Sequence, residues 1–138
     1  MKTISFSPPD ITEAEIKEVA EALRSGWITT GPRTKKLEKE IANYCGTNKV
    51  VCLNSATASL ELNLRVLGIG PGDEVITSAY TYTASASVID HIGAKIVLID
   101  TAAGSYEMDY EKLESVITER TKAIIPVDLA GIPCNYSK

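Results

Sequence analysis

The residues best suited to chemistry lie in three short segments. The first, Asn54-Ser55-Ala56-Thr57-Ala58-Ser59, follows the apolar run Val50 to Leu53 and precedes leucines at helical spacing. Small and hydroxyl residues at a helix start leave backbone N–H groups open to a ligand and add O–H donors, and the helix dipole favours an anion there. The pattern suits a phosphate group, and the plainer reading is a cap by Asn54 or Ser55, as at most helix starts. The second segment, Thr77 to Ala84, carries Tyr80 and Tyr82 at the end of a strand, where ligands bind in open parallel sheets. A tyrosine there either lies flat on a planar ligand or is a half-buried core aromatic. Taken together, a phosphate cradle and a stacking ring at neighbouring strand ends fit one phosphorylated aromatic ligand. The third segment, Gly26-Trp27-Ile28-Thr29-Thr30-Gly31-Pro32, holds the single tryptophan in a loop. It reads as a binding element or as an apolar plug between helices.

Other motifs fall away on context. Gly68-Ile69-Gly70-Pro71-Gly72 follows a helix and leads into a strand, the reverse of a dinucleotide fingerprint, and reads as a turn. The GxxxxGK[ST] spacing of a P-loop is absent. Cys45, Cys52 and Cys134 are odd in number and lack CxxC spacing or a nearby histidine, which argues against a disulfide framework or a zinc site. His91, inside a helical stretch, reads as a surface or satisfied residue rather than a base. Glu111, Glu114 and Glu119 read as a solvated helix face, and Asn135-Tyr136-Ser137 as a glycosylation pattern that is idle in a cytoplasmic chain.

The elements that must position these segments follow from spacing. Thr12 with Glu15 makes a capping box ahead of Ile16, Val19, Ala20 and Leu23, a first helix ended by Gly26. Pro32 sits where a first helical residue tolerates proline, opening a second helix with Leu37, Ile41 and Cys45 on one side and Gly46 as its stop. A short strand is expected over Val50 to Leu53, a helix over Ala56 to Leu67 and a strand over Glu74 to Thr77. A helix over Ala84 to Ile92, a strand over Lys95 to Ile99, a helix near Tyr110 to Ile117 and a strand over Lys122 to Val127 follow. Strands alternating with helices define an α/β class with a parallel sheet. There is no repeat, low-complexity tract or linker, so residues 1–138 read as one unit, with helices and a loop over 1–46 and the alternation over 47–138. The last strand is not followed by the next expected helix, as in a larger domain cut within its sheet.

Bulk properties narrow the class of partner. At 44% hydrophobic and 23% charged, the 138 residues have the make-up of an ordinary globular domain. A net charge of -4, with Lys and Arg dispersed, gives no footprint for a nucleic acid or an anionic membrane. No apolar run approaches the roughly 20 residues of a membrane span, and the start MKTISFSPPD lacks a secretory signal, so a cytoplasmic location is expected.

Taken in order, SGWITTGP, NSATASLEL, LGIGPGDEVIT, YTYTASAS and TKAIIPVDLAG resemble the DegT/DnrJ/EryC1/StrS family of sugar aminotransferases over nearly the whole chain. The resemblance implies the fold of aspartate aminotransferase. The chain would be the N-terminal portion of the large domain of a fold-type I transferase dependent on pyridoxal 5'-phosphate (PLP), a three-layer sandwich with a mostly parallel sheet. It implies that Ala56 and Thr57, with Ser55 beside them, hold the PLP phosphate, and that Tyr82 stacks on the pyridine ring. Gly26, Trp27, Ile28 and Thr29, with Phe6, would meet a nucleotide-linked keto-sugar, glutamate would give the amino group, and the intact protein would be a homodimer. Serine at Ser78, where the family often has proline, and Leu37-Glu38, where it often has phenylalanine before glutamate, touch no chemical role. The aspartate that pairs with the pyridine nitrogen and the lysine that binds the cofactor covalently lie beyond Lys138 in this family, so no catalytic residue falls within the chain. The alternatives within the fold are a sugar dehydratase, in which that lysine is replaced, and a regulatory protein that has lost catalysis.

Overall fold

A computed structural model describes residues 7–138, which form two compact units, one ending at Cys52 and one spanning Leu53–Lys138. Phe6 lies outside the described residues.

In the first unit, helix α1 (Glu13–Arg24) starts with the expected capping box: the Thr12 N–H donates to Glu15 Oε2 at 2.6 Å, and Thr12 Oγ1 accepts from the Ala14 N–H at 3.2 Å. Helix α2 (Pro32–Cys45) opens on proline and closes on Gly46, whose φ of 65° is the left-handed conformation that glycine adopts without penalty. Arg33 Nε donates to Glu18 Oε1 at 2.8 Å and ties the two helices together. Their apolar residues, Ile16, Val19 and Leu23 on α1 and Leu37 and Ile41 on α2, remain exposed within this unit.

The second unit is a three-layer arrangement. Helix α3 (Ala56–Val66) leads into strand β1 (Glu74–Ser78), then helix α4 (Ala84–His91), strand β2 (Lys95–Ile99), helix α5 (Tyr110–Val116) and strand β3 (Thr121–Ile125). The three strands are parallel in the order β2-β1-β3, with Val75 opposite Ile96 and Ala123, and Ile76 opposite Val97 and Ile124. Alternation along β1 sends Val75 to one face, where it packs with Leu60 and Leu64 of α3 and Val88 and Ile89 of α4. Ile76 points to the other face, against Met108 and the α5 residues Tyr110, Leu113 and Val116. Every residue of β1 is buried, as a central parallel strand covered on both sides must be. The fold class read from the sequence is therefore the fold observed.

One expected element is missing. Residues 50–53 form no strand: Val51 and Leu53 are exposed, and the Cys52 N–H donates to the Glu38 carboxylate at 2.9 Å instead of to a neighbouring strand. A short apolar run favours extended backbone, but a strand also needs a partner to pair with, and none lies beside this one among the described residues.

Candidate functional site

The site is built at the carboxyl end of the sheet. Helix α3 returns the chain to the start of β1 through a turn in which the Ile69 N–H donates to the Leu64 C=O and the Asp73 N–H to the Gly70 C=O, both at 3.1 Å. Helix α4 leaves the end of β1 and returns the chain to the start of β2, so both helices run opposite to the strands and parallel to each other. Their C-terminal ends touch: Arg65 Nη2 donates to the His91 carbonyl at 3.4 Å, and His91 Nδ1 lies 3.1 Å from Glu61 Oε2. The turn after α3 comes so close to the end of α4 that a Cβ on Gly70 would stand 3.7 Å from the Ile92 carbonyl. Hydrogen bonds first from Arg65 and then from His91 hold the Glu61 carboxyl below its ordinary pKa. His91 is thus a satisfied surface residue at the end of α4 remote from the strand tips. Six residues back from Glu61 and seven back from His91, a rise of about 10 Å in each helix, come Ser55 and Ala84. The N-termini of α3 and α4 therefore both lie toward the carboxyl end of the sheet.

Ser55 is the N-cap of α3, its Oγ accepting from the Ala58 N–H at 3.1 Å. Its hydroxyl proton is left free to donate outward. Among the described residues nothing accepts from the Ala56 and Thr57 N–H groups, the first two of the helix. The cap reading and the cradle reading of this segment are therefore compatible: one Ser55 oxygen serves the helix while three donors face out.

Tyr82 stands in the turn between β1 and α4. Its backbone is engaged, since its carbonyl accepts from the Ser85 N–H at 3.1 Å, but its ring is 82% exposed. The flanking turn is pinned. The Ala79 N–H extends the pairing with β2 by donating to the Ile99 carbonyl at 2.7 Å, the Tyr80 N–H donates to Ser78 Oγ at 3.2 Å, and the Thr81 and Ser85 hydroxyls bond at 2.9 Å. Unpaired donors at the start of α3 and an exposed aromatic side chain after β1, both toward the carboxyl end of the sheet, are features that suit PLP, with its phosphate and its pyridine face.

The third segment belongs to the first unit. Gly26 has φ 72°, Ile28 and Thr29 are exposed, and the Trp27 indole is 57% exposed, donating from Nε1 to the Thr30 carbonyl at 3.2 Å. The indole lies directly on Gly31, where a Cβ would fall 2.1 Å from Nε1. Trp27 is accordingly an exposed loop residue within its unit rather than a buried plug.

A profile for DegT/DnrJ/EryC1/StrS aminotransferases matches residues 9–138. The chain belongs to this aminotransferase family. Among solved structures, a Streptococcus pneumoniae protein described as a sugar aminotransferase, Spr1654, matches in its PMP form with a TM-score of 0.92 and 65% identity, over 99% of this chain and 34% of that one. Its PLP form matches equally well, at 65% identity and a TM-score of 0.92. Among curated relatives, the UDP-4-amino-4-deoxy-L-arabinose–oxoglutarate aminotransferase of Shewanella sediminis is 50% identical over 89% of this chain and 32% of its own length. The spore coat polysaccharide biosynthesis protein SpsC of Bacillus subtilis is 45% identical over 96% of this chain and 34% of its own. The chain spans about a third of the length of these relatives.

Several residues that shape this end of the sheet are not evident from their own neighbourhoods in sequence. Tyr106, from the loop after β2, stacks on Tyr80 with ring centroids 5.6 Å apart and planes 22° from parallel. Beyond β3, Asp128 accepts from the Cys134 N–H at 2.8 Å and from the Tyr136 hydroxyl at 3.0 Å, which together hold its carboxyl below the usual range. Tyr110 accepts from the Asn135 N–H at 3.0 Å, and burial pushes its hydroxyl up to about 12. These contacts fold the last residues back over α5.

Proposed function

We propose that this chain supplies the phosphate cradle and the ring-stacking face of a PLP-dependent aminotransferase that passes an amino group from glutamate to a nucleotide-linked keto-sugar. The observation that carries the reading is that the open α3 N-terminus and the exposed Tyr82 both lie toward the carboxyl end of the sheet in a chain of this family. In this role Ser55, Ala56 and Thr57 donate to the phosphate, and the Tyr82 ring covers one face of the pyridine and excludes water from it. When bound, PLP supplies the electron sink through which an amino group leaves one carbon skeleton and joins another. Gly26, Trp27, Ile28 and Thr29 are assigned to the sugar-nucleotide. The oxoglutarate in the name of the Shewanella relative supports glutamate as donor, and the polysaccharide role in the name of the Bacillus relative supports a setting in surface-sugar synthesis. A cytoplasmic homodimer completes the proposal, and family membership is its support.

The test is a visible spectrum of the protein expressed from its whole reading frame with PLP added, followed by borohydride reduction and peptide mapping. A band that reduction converts to a fixed adduct on one lysine is expected. Bound cofactor without an adduct would replace the aminotransferase with a dehydratase, and no bound cofactor would leave a non-catalytic protein of the same fold.

A further inference from the structure

The Tyr80 and Tyr106 rings are stacked although Tyr80 is 54% and Tyr106 64% exposed, so neither is held there by burial in the core. What holds Tyr106 is its loop. Thr101 and Met108 form an antiparallel bridge, the Ala102 N–H donates to the Glu107 carbonyl at 3.0 Å, and the Glu107 N–H donates to Ser105 Oγ at 3.0 Å. Met108 anchors this loop in the core against Ile76 and Ile99. Tyr106 is thus carried on a braced support, and its ring meets Tyr80 two residues before Tyr82. The backbone of that turn is tied at Ala79 and Tyr80 on one side and through Thr81 on the other, and among the described residues the Tyr80–Tyr106 stack is what ties it to the loop after β2.

Resting on the cofactor reading above, we propose that Tyr106 is a positioning residue: by stacking on Tyr80 it fixes the Ala79–Thr83 turn so that the Tyr82 ring is already set to cover the cofactor ring. The benefit is pre-organisation. A turn that must be ordered when the ligand arrives costs affinity, and one ordered beforehand does not. The hydroxyl of Tyr106 has no part in this, so phenylalanine should serve as well as tyrosine.

The experiment compares the unsubstituted protein, expressed from its whole reading frame, with Tyr106→Ala, Tyr106→Phe, Tyr80→Ala and the Tyr80→Ala/Tyr106→Ala pair. Three readouts are taken: amide hydrogen exchange over residues 79–85 without cofactor, PLP affinity by titration, and the visible circular dichroism of bound PLP. In Tyr106→Ala, exchange over 79–85 should quicken, PLP should bind about three- to tenfold more weakly and the dichroism should change, while thermal unfolding stays near that of the parent. Tyr106→Phe should restore all three readouts, and the double variant should be no worse than Tyr80→Ala alone. Unchanged exchange and unchanged dichroism in Tyr106→Ala, with PLP bound normally by the parent, would overturn this role and leave the cofactor reading standing. A parent that binds no PLP would overturn the cofactor reading and this role with it. Quickened exchange in that case would show only that the stack orders the turn.

Discussion

Arg120 Nη2 stands 2.7 Å from Glu74 Oε1, a carboxylate that is 2% exposed at the first residue of the central strand. Lys95 Nζ donates to the same oxygen at 3.0 Å and the Thr118 hydroxyl to the other at 2.7 Å. One buried acid thereby gathers the beginnings of all three strands, at the place where a bulge sets Glu74 opposite Thr121 and Val75 opposite Ala123. The bonds from Thr118, Lys95 and Arg120, in that order, lower the Glu74 pKa from an ordinary 4.5 to about 2.

That shift has a sign. In acid below 4.5 the unfolded chain takes up a proton at Glu74 while the folded one stays ionised until about 2, so the cluster's contribution is complete above 4.5 and is lost as pH falls through about 2. Urea midpoints taken across this window should decline. Glu74→Gln should be less stable at neutral pH yet decline less steeply in acid, and identical acid profiles for the two proteins would count against the cluster.

Ser55 has two jobs, and one substitution separates them. Ser55→Ala removes the cap to the Ala58 N–H and should lower stability by about 1 kcal/mol in a denaturant titration. It also removes an outward donor, so PLP should bind about tenfold more weakly while pyridoxal, which lacks the phosphate, is unaffected. Equal weakening of both ligands would place the serine away from the phosphate.

Tyr82 predicts the opposite division. Because its ring is so largely exposed, Tyr82→Leu should change stability by no more than about 0.5 kcal/mol. It should nonetheless weaken PLP binding by about three- to tenfold, with Tyr82→Phe close to the parent. A large loss of stability in Tyr82→Leu would mark the ring as a packing residue.

Gly31 can be read through the chain's one tryptophan. A methyl group at Gly31 would overlap the indole, so Gly31→Ala must push Trp27 off the Thr30 carbonyl. The fluorescence maximum should move to longer wavelength, with a loss of about 1 to 3 kcal/mol in stability. An unmoved spectrum would mean that the backbone yields instead of the ring.

How much of this was legible in the sequence depends on whether the deciding interaction is local. The starts and stops of α1 and α2 were readable because Thr12, Glu15, Pro32 and Gly46 act within a few residues of themselves. β1 and β2 were readable because each is a short, largely apolar run, buried throughout in β1 and only in part in β2. The same signal misled at Val50 to Leu53, because pairing is a property of two segments and only one was in view. Glu74 gave no sign of burial, since its cations come from 21 and 46 residues away; a charge opening an apolar run was the available hint. The Ser55 cap is a local feature of the sequence, and so is an aromatic at Tyr82. That both lie toward the carboxyl end of the sheet follows from the course of α3 and α4, which needs the topology.

That parallel course has an electrostatic result. Each helix carries a partial positive charge of roughly half an elementary unit at its start. Both starts lie toward the carboxyl end of the sheet, so that end carries partial charge of one sign, whatever the side chains are. A doubly charged anion at that end gains a favourable interaction with each start. Inorganic phosphate by itself should therefore act on this fold as a stabiliser, and less so as salt is raised.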